Sequence, residues 1–209
     1  VALISDIISE YDPNDVNSFC WPRPNMLDGV CNRPSKAPKL LWFEMPYFRG
    51  FSEDCIDGMG KVLTALDGCV EKIDEKQIFF EDFLKAQKVI HYYEIARNLS
   101  NVRQKSSKLL SPQVCKVLAM GSKIDLEDYH QALAQKDTAI SYFKDFFGES
   151  DAIIAPSSLG EAPLFCDGNT GNPVCSTIWN LCGFPCLTIP VLVSANNMPI
   201  GVQLIGKPE

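Results

Sequence analysis

The stretch GNPVCSTIWNLCGFPCLTIPVLVSANNMPIGVQLIG, residues 171–206, decides the fold prediction. It predicts a polar loop and then a short helix, capped by Ser176 and ended by Gly183 in a left-handed conformation. Two apolar runs rich in β-branched residues follow at 186–192 and 200–205, and turn-forming residues separate them. We therefore predict a hairpin of two buried strands at this end of the chain.

The prolines and glycines of this stretch, at their spacings, resemble the C-terminal block of amidase signature enzymes. The resemblance rests on Asn172-Pro173, Thr177 with Asn180, Gly183-Phe184-Pro185, Ile189-Pro190 and the string MPIGVQLIG at 198–206. The resemblance extends over nearly the whole chain. Before Ile124 it consists mostly of the order and spacing of the predicted helices and strands. It implies an α/β fold with a mixed β-sheet flanked by helices, and hydrolysis or transfer of carboxamides.

The rest of the chain predicts elements that fit such a sheet. A strand at 40–45, a helix from Ser52 to Gly68 and a strand at 69–73 are typical of a βαβ unit with a right-handed crossover. Residues 20–38 are predicted to be irregular because they contain four prolines. Further helices are predicted from Phe79, after Ser111-Pro112 and after Asp125, and a strand at 151–156. The last helix has an apolar stripe that we expect to pack on the sheet, made of Leu126, Tyr129, Leu133, Ile140, Phe143 and Phe147.

The domain prediction concerns how much of an amidase this chain represents. A chain of 209 residues with 46% hydrophobic content suffices for one sizeable domain or for a large part of a bigger one. Val1 opens within a helical apolar pattern, and the last segment, Lys207-Pro208-Glu209, follows directly after a predicted strand. In the family, a helix like that of Val1–Ser9 follows the catalytic core. We therefore interpret residues 1–209 as the C-terminal portion of a single amidase domain, with the catalytic part upstream of Val1.

Composition limits the partners. A formal net charge of −7 disfavours nucleic acid, and the basic residues between Arg97 and Lys116 are interpreted as a solvated face. No apolar run reaches the roughly 20 residues that span a bilayer, so no membrane is expected. The nine cysteines are odd in number and lack C-x-x-C spacing, which favours free thiols in the cytoplasm and disfavours a metal. We expect a small-molecule amide substrate and no cofactor, and homodimerisation is left open.

Catalysis in amidase signature enzymes depends on a nucleophilic serine, a second serine that relays the proton, and a neutral lysine as the base. A Gly/Ser-rich loop supplies backbone N–H groups to the oxyanion. This sequence contains no Gly-Gly pair and no segment that matches that loop. No catalytic residue is therefore assigned to this chain.

Two other serine clusters are weaker candidates for a nucleophile. Ser157-Ser158-Leu159-Gly160 follows a predicted strand, but the sequence suggests no base beside it. Ser106-Ser107-Lys108 combines the right residue types within polar helical sequence, where all three are expected to face water. A Ser/His/Asp triad is poorly supported because there is no G-x-S-x-G motif and both histidines lie in helical sequence.

The segment Asp167–Trp179 is the predicted pocket wall, because loops at strand ends are where open α/β folds bind ligands. Thr177 and Asn180 are the candidates for hydrogen bonds to substrate, and Trp179 for an apolar contact. The alternative is that Trp179 packs in the core and Asn180 satisfies local backbone groups.

The resulting hypothesis is an amidase that cleaves carboxamides by a Ser-Ser-Lys mechanism whose catalytic groups lie outside this chain. The chain alone is predicted to be inactive. One alternative is an amidotransferase component that passes ammonia to an acylated tRNA. The residue before Pro173 argues against it, because that residue is Asn172 and an aspartate is expected there in that branch of the family. The other alternative is a non-catalytic interaction domain on the same scaffold.

Overall fold

The computed structural model describes residues 1–209 apart from 16–17, 21, 23–24, 33, 46–49, 73–79, 166–169, 208–209 and the side chains of 106–107. The chain forms two compact units, Val1–Pro38 and Lys39–Glu209. The first contains α1 (Ala2–Ile8) and α2 (Met26–Cys31).

Helix α2 corrects the prediction that 20–38 is irregular throughout. Its first turn is stabilised by two side chains that accept backbone N–H groups. Asn25 Oδ1 accepts from Asp28 N at 3.1 Å. The Asp6 carboxylate of α1 accepts from Met26 N at 2.8 Å and from Leu27 N at 2.9 Å. The bonds to Asp6 link positions about twenty residues apart, which local pattern does not reveal.

The second unit is a five-stranded mixed sheet flanked by helices, as predicted. Its strand order is β2-β1-β3-β5-β4. Strands β2, β1 and β3 are parallel, whereas β5 is antiparallel to both β3 and β4. The bounds of its elements are β1 Leu40–Trp42, α3 Glu53–Ala65, β2 Val70–Lys72, α4 Phe80–Asn98, α5 Ser100–Ser106, a 3₁₀ turn Ser107–Leu109, α6 Pro112–Gly121, α7 Leu126–Phe147, β3 Ala152–Pro156, α8 Val174–Cys182, β4 Cys186–Val193 and β5 Pro199–Gly206.

Three helix starts and one helix end follow the capping residues predicted from the sequence. Ser52 Oγ accepts from Cys55 N at the start of α3, and Ser111 Oγ accepts from Val114 N at the start of α6. Asp125 Oδ1 accepts from Asp128 N at 2.8 Å and begins α7. Gly183 ends α8 with φ of 70°, in the left-handed region where glycine carries no steric cost.

The predicted cap of α8 is wrong. The helix begins at Val174, so Ser176 lies inside it and its hydroxyl donates to Pro173 O at 3.0 Å. Asn172 Oδ1 instead accepts from Val174 N at 3.0 Å. An asparagine before a proline thus supplies the acceptor that the sequence pattern assigns to the serine.

The packing of α7 also differs from the prediction. Its buried residues are Ala132, Ala139, Phe143 and Phe147, whereas Leu126 in the predicted stripe is 54% exposed. The helix packs chiefly against the helices α4 and α8, whereas the prediction was that its apolar stripe packs on the sheet. Small alanine side chains permit close approach of another helix, so helix–helix packing is the better interpretation of this stripe.

The hairpin is confirmed, but one of its strands is not buried. Seven of the eight residues of β4 are exposed, and Leu192 is the exception. The strand lies at the edge of the sheet, where it has a neighbour on one side alone among the described strands. An apolar run predicts a strand, but its composition does not say whether the strand is central or at the edge.

Candidate functional site

Gln203 joins three elements at one end of the sheet. Its side chain is buried at 2% exposure on β5. Its Nε2 group donates to Pro156 O, at the end of β3, and to Cys175 O in the first turn of α8, both at 2.8 Å. A buried amide group that makes two such bonds fixes the relative positions of the strand end and the helix start.

Beside Gln203 the sheet carries a small polar surface, the hydroxyl shelf, made of Ser157, Thr188 and Gly201. Thr188 is directly opposite Gln203 in the register of β4 and β5, and Gly201 precedes Gln203 by two residues, so these three share one face. A methyl group on Gly201 would collide with Ser157 Oγ and lie 2.6 Å from Thr188 Cγ2. The glycine therefore lets the two hydroxyl-bearing side chains approach each other over the backbone of β5.

The loop after β3 is held by hydrogen bonds at several points. Ser157 N donates to Gly201 O at 3.0 Å, and Ser52 N donates to Leu159 O at 2.8 Å. The Glu161 carboxylate accepts from Ser194 Oγ and, at 2.7 Å, from Asn196 Nδ2, both in the β4–β5 turn. This loop is thus tied to β5, to the start of α3 and to the hairpin turn, and forms a fixed wall beside the shelf.

The hydrogen bonds of Ser157 and Ser158 bear on whether either serine is an activated nucleophile. Ser158 Oγ donates to Gly160 O at 2.7 Å. Within the described part of the chain, neither the Ser157 nor the Ser158 hydroxyl is hydrogen-bonded to a lysine or histidine. The described part of the loop therefore forms a polar wall and shows no nucleophile–base pair of the kind that acyl transfer requires. The side chains of Ser106 and Ser107, the other serine pair considered, lie outside the described residues.

The predicted substrate residues lie on two sides of α8. Thr177 is half-buried and its hydroxyl donates to Pro173 O at 2.9 Å, and Asn180 is exposed. Residues three apart on a helix share a side, so these two form one polar strip. Of the predicted wall 167–179, Asp167 to Asn169 lie outside the described residues.

Trp179 points the other way. It is 1% exposed, and its ring centroid lies 4.9 Å from that of Phe143 and 5.5 Å from that of Phe43, both in edge-on arrangements. Its indole N–H is a buried donor with no partner among the described residues. Trp179 therefore packs in the core, which is the alternative interpretation that the sequence offered for this residue.

The buried cysteines are unsuited to nucleophilic chemistry. Desolvation raises the pKa of Cys55 to about 11 and that of Cys182 to about 12, and for Cys175 burial, assisted by the nearby Cys55, raises the pKa to about 12. Each is therefore a neutral thiol near pH 7, whereas the thiolate is the reactive form. The described residues contain no cluster of three or more metal-ligating side chains.

Sequence reasoning missed Gln203, the hydroxyl shelf and the Glu161 contacts. A glutamine between valine and leucine in a predicted buried strand is a usable signal, since a buried amide needs partners. The shelf had no such signal because its members lie on three separate segments. Among the helices that the structure describes, none has the length and apolar character needed to cross a bilayer.

The comparisons with known proteins agree with this architecture. The family model described as Amidase matches residues 1–209. A glutamyl-tRNA(Gln) amidotransferase subunit from Orientia tsutsugamushi (strain Boryong) is 25% identical over 241 residues, which cover 99% of this chain and 48% of that protein. Fatty acid amide hydrolase of Medicago truncatula is 25% identical over 179 residues, covering 80% of this chain and 29% of that protein. The chain thus spans at most about half the length of these relatives.

A solved structure extends the likeness to three dimensions. The structure of 6-aminohexanoate cyclic dimer hydrolase superposes with a TM-score of 0.72 at 16% identity, over 99% of this chain and 48% of that one. At 16% identity the superposition establishes the fold alone. Membership of the family is established by the family model, which matches residues 1–209. The chain belongs to the amidase family.

Proposed function

We propose that this chain is the C-terminal portion of an amidase that hydrolyses carboxamides, and that it supplies one wall of the substrate pocket. The observation that carries the proposal is the hydroxyl shelf, which lies next to Gln203 and to the polar loop after β3. A wall of this kind offers hydroxyl groups that both donate and accept, which suits the C=O and N–H of an amide.

The chemical step is assigned to groups outside residues 1–209. By resemblance to the family, a serine hydroxyl attacks the amide carbon, and a neutral lysine takes the serine proton through a second serine. The C–N bond then breaks, and the leaving amine takes up a proton. Water hydrolyses the resulting ester to the carboxylic acid and restores the serine.

Thr177 and Asn180 are proposed to extend the wall from α8. The hydrogen bond from Gln203 to Cys175 O supports this role, because it holds the first turn of α8 next to β5. Thr177 Oγ1 donates to Pro173 O and keeps lone pairs that can accept a substrate N–H. Apolar contact by Trp179 has less support, since its side chain is 1% exposed.

The test is hydrolysis of 4-nitroacetanilide by the native protein and its variants, followed by release of 4-nitroaniline. Thr188→Val preserves shape and removes the shelf hydroxyl. We expect kcat/KM to fall by up to about tenfold, the value of one hydrogen bond. Thr138→Val on α7, whose hydroxyl donates to Ala134 O, is the matched control and should leave kcat/KM unchanged. Equal effects of the two substitutions, or no hydrolysis of any simple amide, would contradict the proposal.

Ammonia transfer to an acylated tRNA is the second candidate. It is favoured by the match to the Orientia protein over 99% of this chain. The discriminating assay supplies ammonia and glutamyl-tRNA to the native protein and measures amidated product. Product formation would favour this function over simple hydrolysis.

The third candidate is a non-catalytic interaction domain. It predicts that the native protein has neither activity.

The cytoplasmic location stays a prediction, tested by fractionation of the source cells.

A further inference from the structure

A surface cavity of about 300 Å³ lies where α4, α6 and the turn before α7 meet. Its volume is at the lower end of the range for small-molecule sites. None of the residues around it belongs to the hydroxyl shelf or to the predicted wall 167–179, so the cavity shares no side chain with the proposed substrate pocket. The cavity is lined by Tyr93, Ala96, Arg97, Gly121, Ser122 and Ile124.

Two walls of the cavity are held by close packing. A methyl group on Gly121 would collide with Tyr92 O, so glycine is what permits the end of α6 to approach the backbone of α4. The ring of Tyr93 is stacked on that of Tyr129, with the centroids 4.2 Å apart and 19° between the planes. Tyr93 is therefore held in place as an aromatic wall of the cavity.

The cavity lies in the most basic part of an acidic chain. Residues 95–124 contain six basic residues and no acidic one, although the formal net charge of the chain is −7. Arg97 lines the cavity, is exposed, and forms no ion pair among the described residues. Arg103 lies at the rim, where its Nη1 group donates to Ser122 Oγ at 3.0 Å. Two arginines of the predicted solvated face thus meet at one cavity.

The carboxylates that adjoin the cavity residues in sequence have other partners. Glu94 Oε1 accepts from the Tyr129 hydroxyl at 2.8 Å, and Asp125 Oδ1 accepts from Asp128 N at 2.8 Å. The hydrogen bond to Glu94 is the largest cause that raises the pKa of Tyr129, whereas the charge of Arg97 acts to lower it. Arg97 therefore lies near this ring and keeps its N–H donors for a ligand.

We propose that this cavity binds a small phosphomonoester, with the phosphoryl group on Arg97 and Arg103 and the organic group against Tyr93. A guanidinium group presents its N–H donors in a planar fork that matches phosphate oxygens. Two arginines match a dianion better than a singly charged carboxylate, and an aromatic wall favours a flat organic group. A nucleic acid fits less well, because a polyanion would have to approach a chain with a net charge of −7. The inference does not depend on the proposed amidase activity.

The test is isothermal titration calorimetry of the native protein with phenyl phosphate, inorganic phosphate and phenol, at an ionic strength of about 50 mM so that exposed charges are weakly screened. We expect phenyl phosphate to bind more tightly than inorganic phosphate, and phenol to give no binding heat. Arg97→Gln should weaken phenyl phosphate binding about tenfold or more, the value of one hydrogen bond to a charged group. Lys144→Gln removes the same charge from an exposed position of α7 and should leave the affinity unchanged.

A second variant separates the two parts of the ligand. Tyr93→Leu should lower the affinity for phenyl phosphate to that for inorganic phosphate and leave the latter unchanged. Thermal unfolding of each variant checks that it is folded, and Ser122→Ala, which removes the anchor of Arg103, replaces any variant that is not and should weaken binding severalfold. Three results would each overturn the proposal: no binding of phenyl phosphate to the native protein, equal effects of Arg97→Gln and Lys144→Gln, or tighter binding of a short RNA whose affinity falls steeply with salt.

Discussion

Strands β4 and β5 are partners in one hairpin and have similarly apolar sequences, CLTIPVLV and PIGVQLIG. β5 lies between β3 and β4, and Ile200, Val202, Gln203 and Ile205 are all buried on it. On β4, Leu192 alone is buried. The difference shows that position in the sheet, and not strand composition, decides which residues form the core of this chain.

The largest expected effect comes from one substitution made on both strands. Ile205→Ala should lower the free energy of unfolding by about 2–5 kcal/mol, because a fully buried isoleucine leaves a cavity. Ile189→Ala, at 38% exposure, should cost the isolated chain about 1 kcal/mol or less. Urea unfolding of the two variants gives both values. Equal losses would break the comparison between the strands.

The next effect tests the polar group within the buried strand. Gln203→Leu removes the donor from the carbonyls of Pro156 and Cys175 and should cost about 1–3 kcal/mol. Gln135→Leu, at an exposed position of α7, is the control and should change stability by less than about 0.5 kcal/mol in a urea titration. A neutral Gln203→Leu would mean that water replaces the amide group and that its two hydrogen bonds do not stabilise the fold.

The buried thiols predict a pH effect on stability. Their pKa values of about 11 to 12 exceed the ordinary value of 9.0, so above about pH 9 the unfolded chain loses protons that the folded chain keeps. Stability is therefore fully present below pH 9 and falls as the pH rises. The melting temperature should drop by a few degrees between about pH 8 and pH 10. Cys175→Ala should make this drop smaller, and a rise in melting temperature would contradict the assignment.

The smallest effect concerns the turn that joins the two strands. Asn197 has a φ of 61°, a left-handed conformation that asparagine tolerates better than most residues. Asn197→Ala should cost about 1 kcal/mol, whereas Asn197→Gly should stay within about 0.5 kcal/mol of the parent. Thermal unfolding of the pair checks this. A larger loss with glycine than with alanine would show that the asparagine side chain, and not its backbone conformation, holds the turn.

These comparisons also show how far sequence alone reaches. Local signals are sufficient for the helix starts at Ser52, Ser111 and Asp125, because a cap is a contact within three residues. They fail for α2, whose stabilising carboxylate comes from Asp6 on another helix. They fail equally for the edge position of β4, which depends on strand order.

The candidate site is predictable to the same extent. The resemblance locates the last two strands and α8, and therefore the end of the sheet where the shelf lies. It does not locate the shelf itself, because Ser157, Thr188 and Gly201 meet through strand pairing between separate segments. Trp179 is a sequence candidate for substrate contact, but whether an aromatic side chain faces a pocket or the core depends on the neighbouring helix.

The central claim is that this chain carries a wall of the substrate pocket, while the catalytic groups lie outside residues 1–209. The most direct test is amide hydrolysis by the isolated 209-residue chain, with protection of buried Cys175 from N-ethylmaleimide as proof of folding. We predict no release of 4-nitroaniline above the buffer rate, with or without a serine-directed inhibitor. Inhibitor-sensitive hydrolysis by the folded chain, abolished by Ser157→Ala or Ser158→Ala, would contradict the claim.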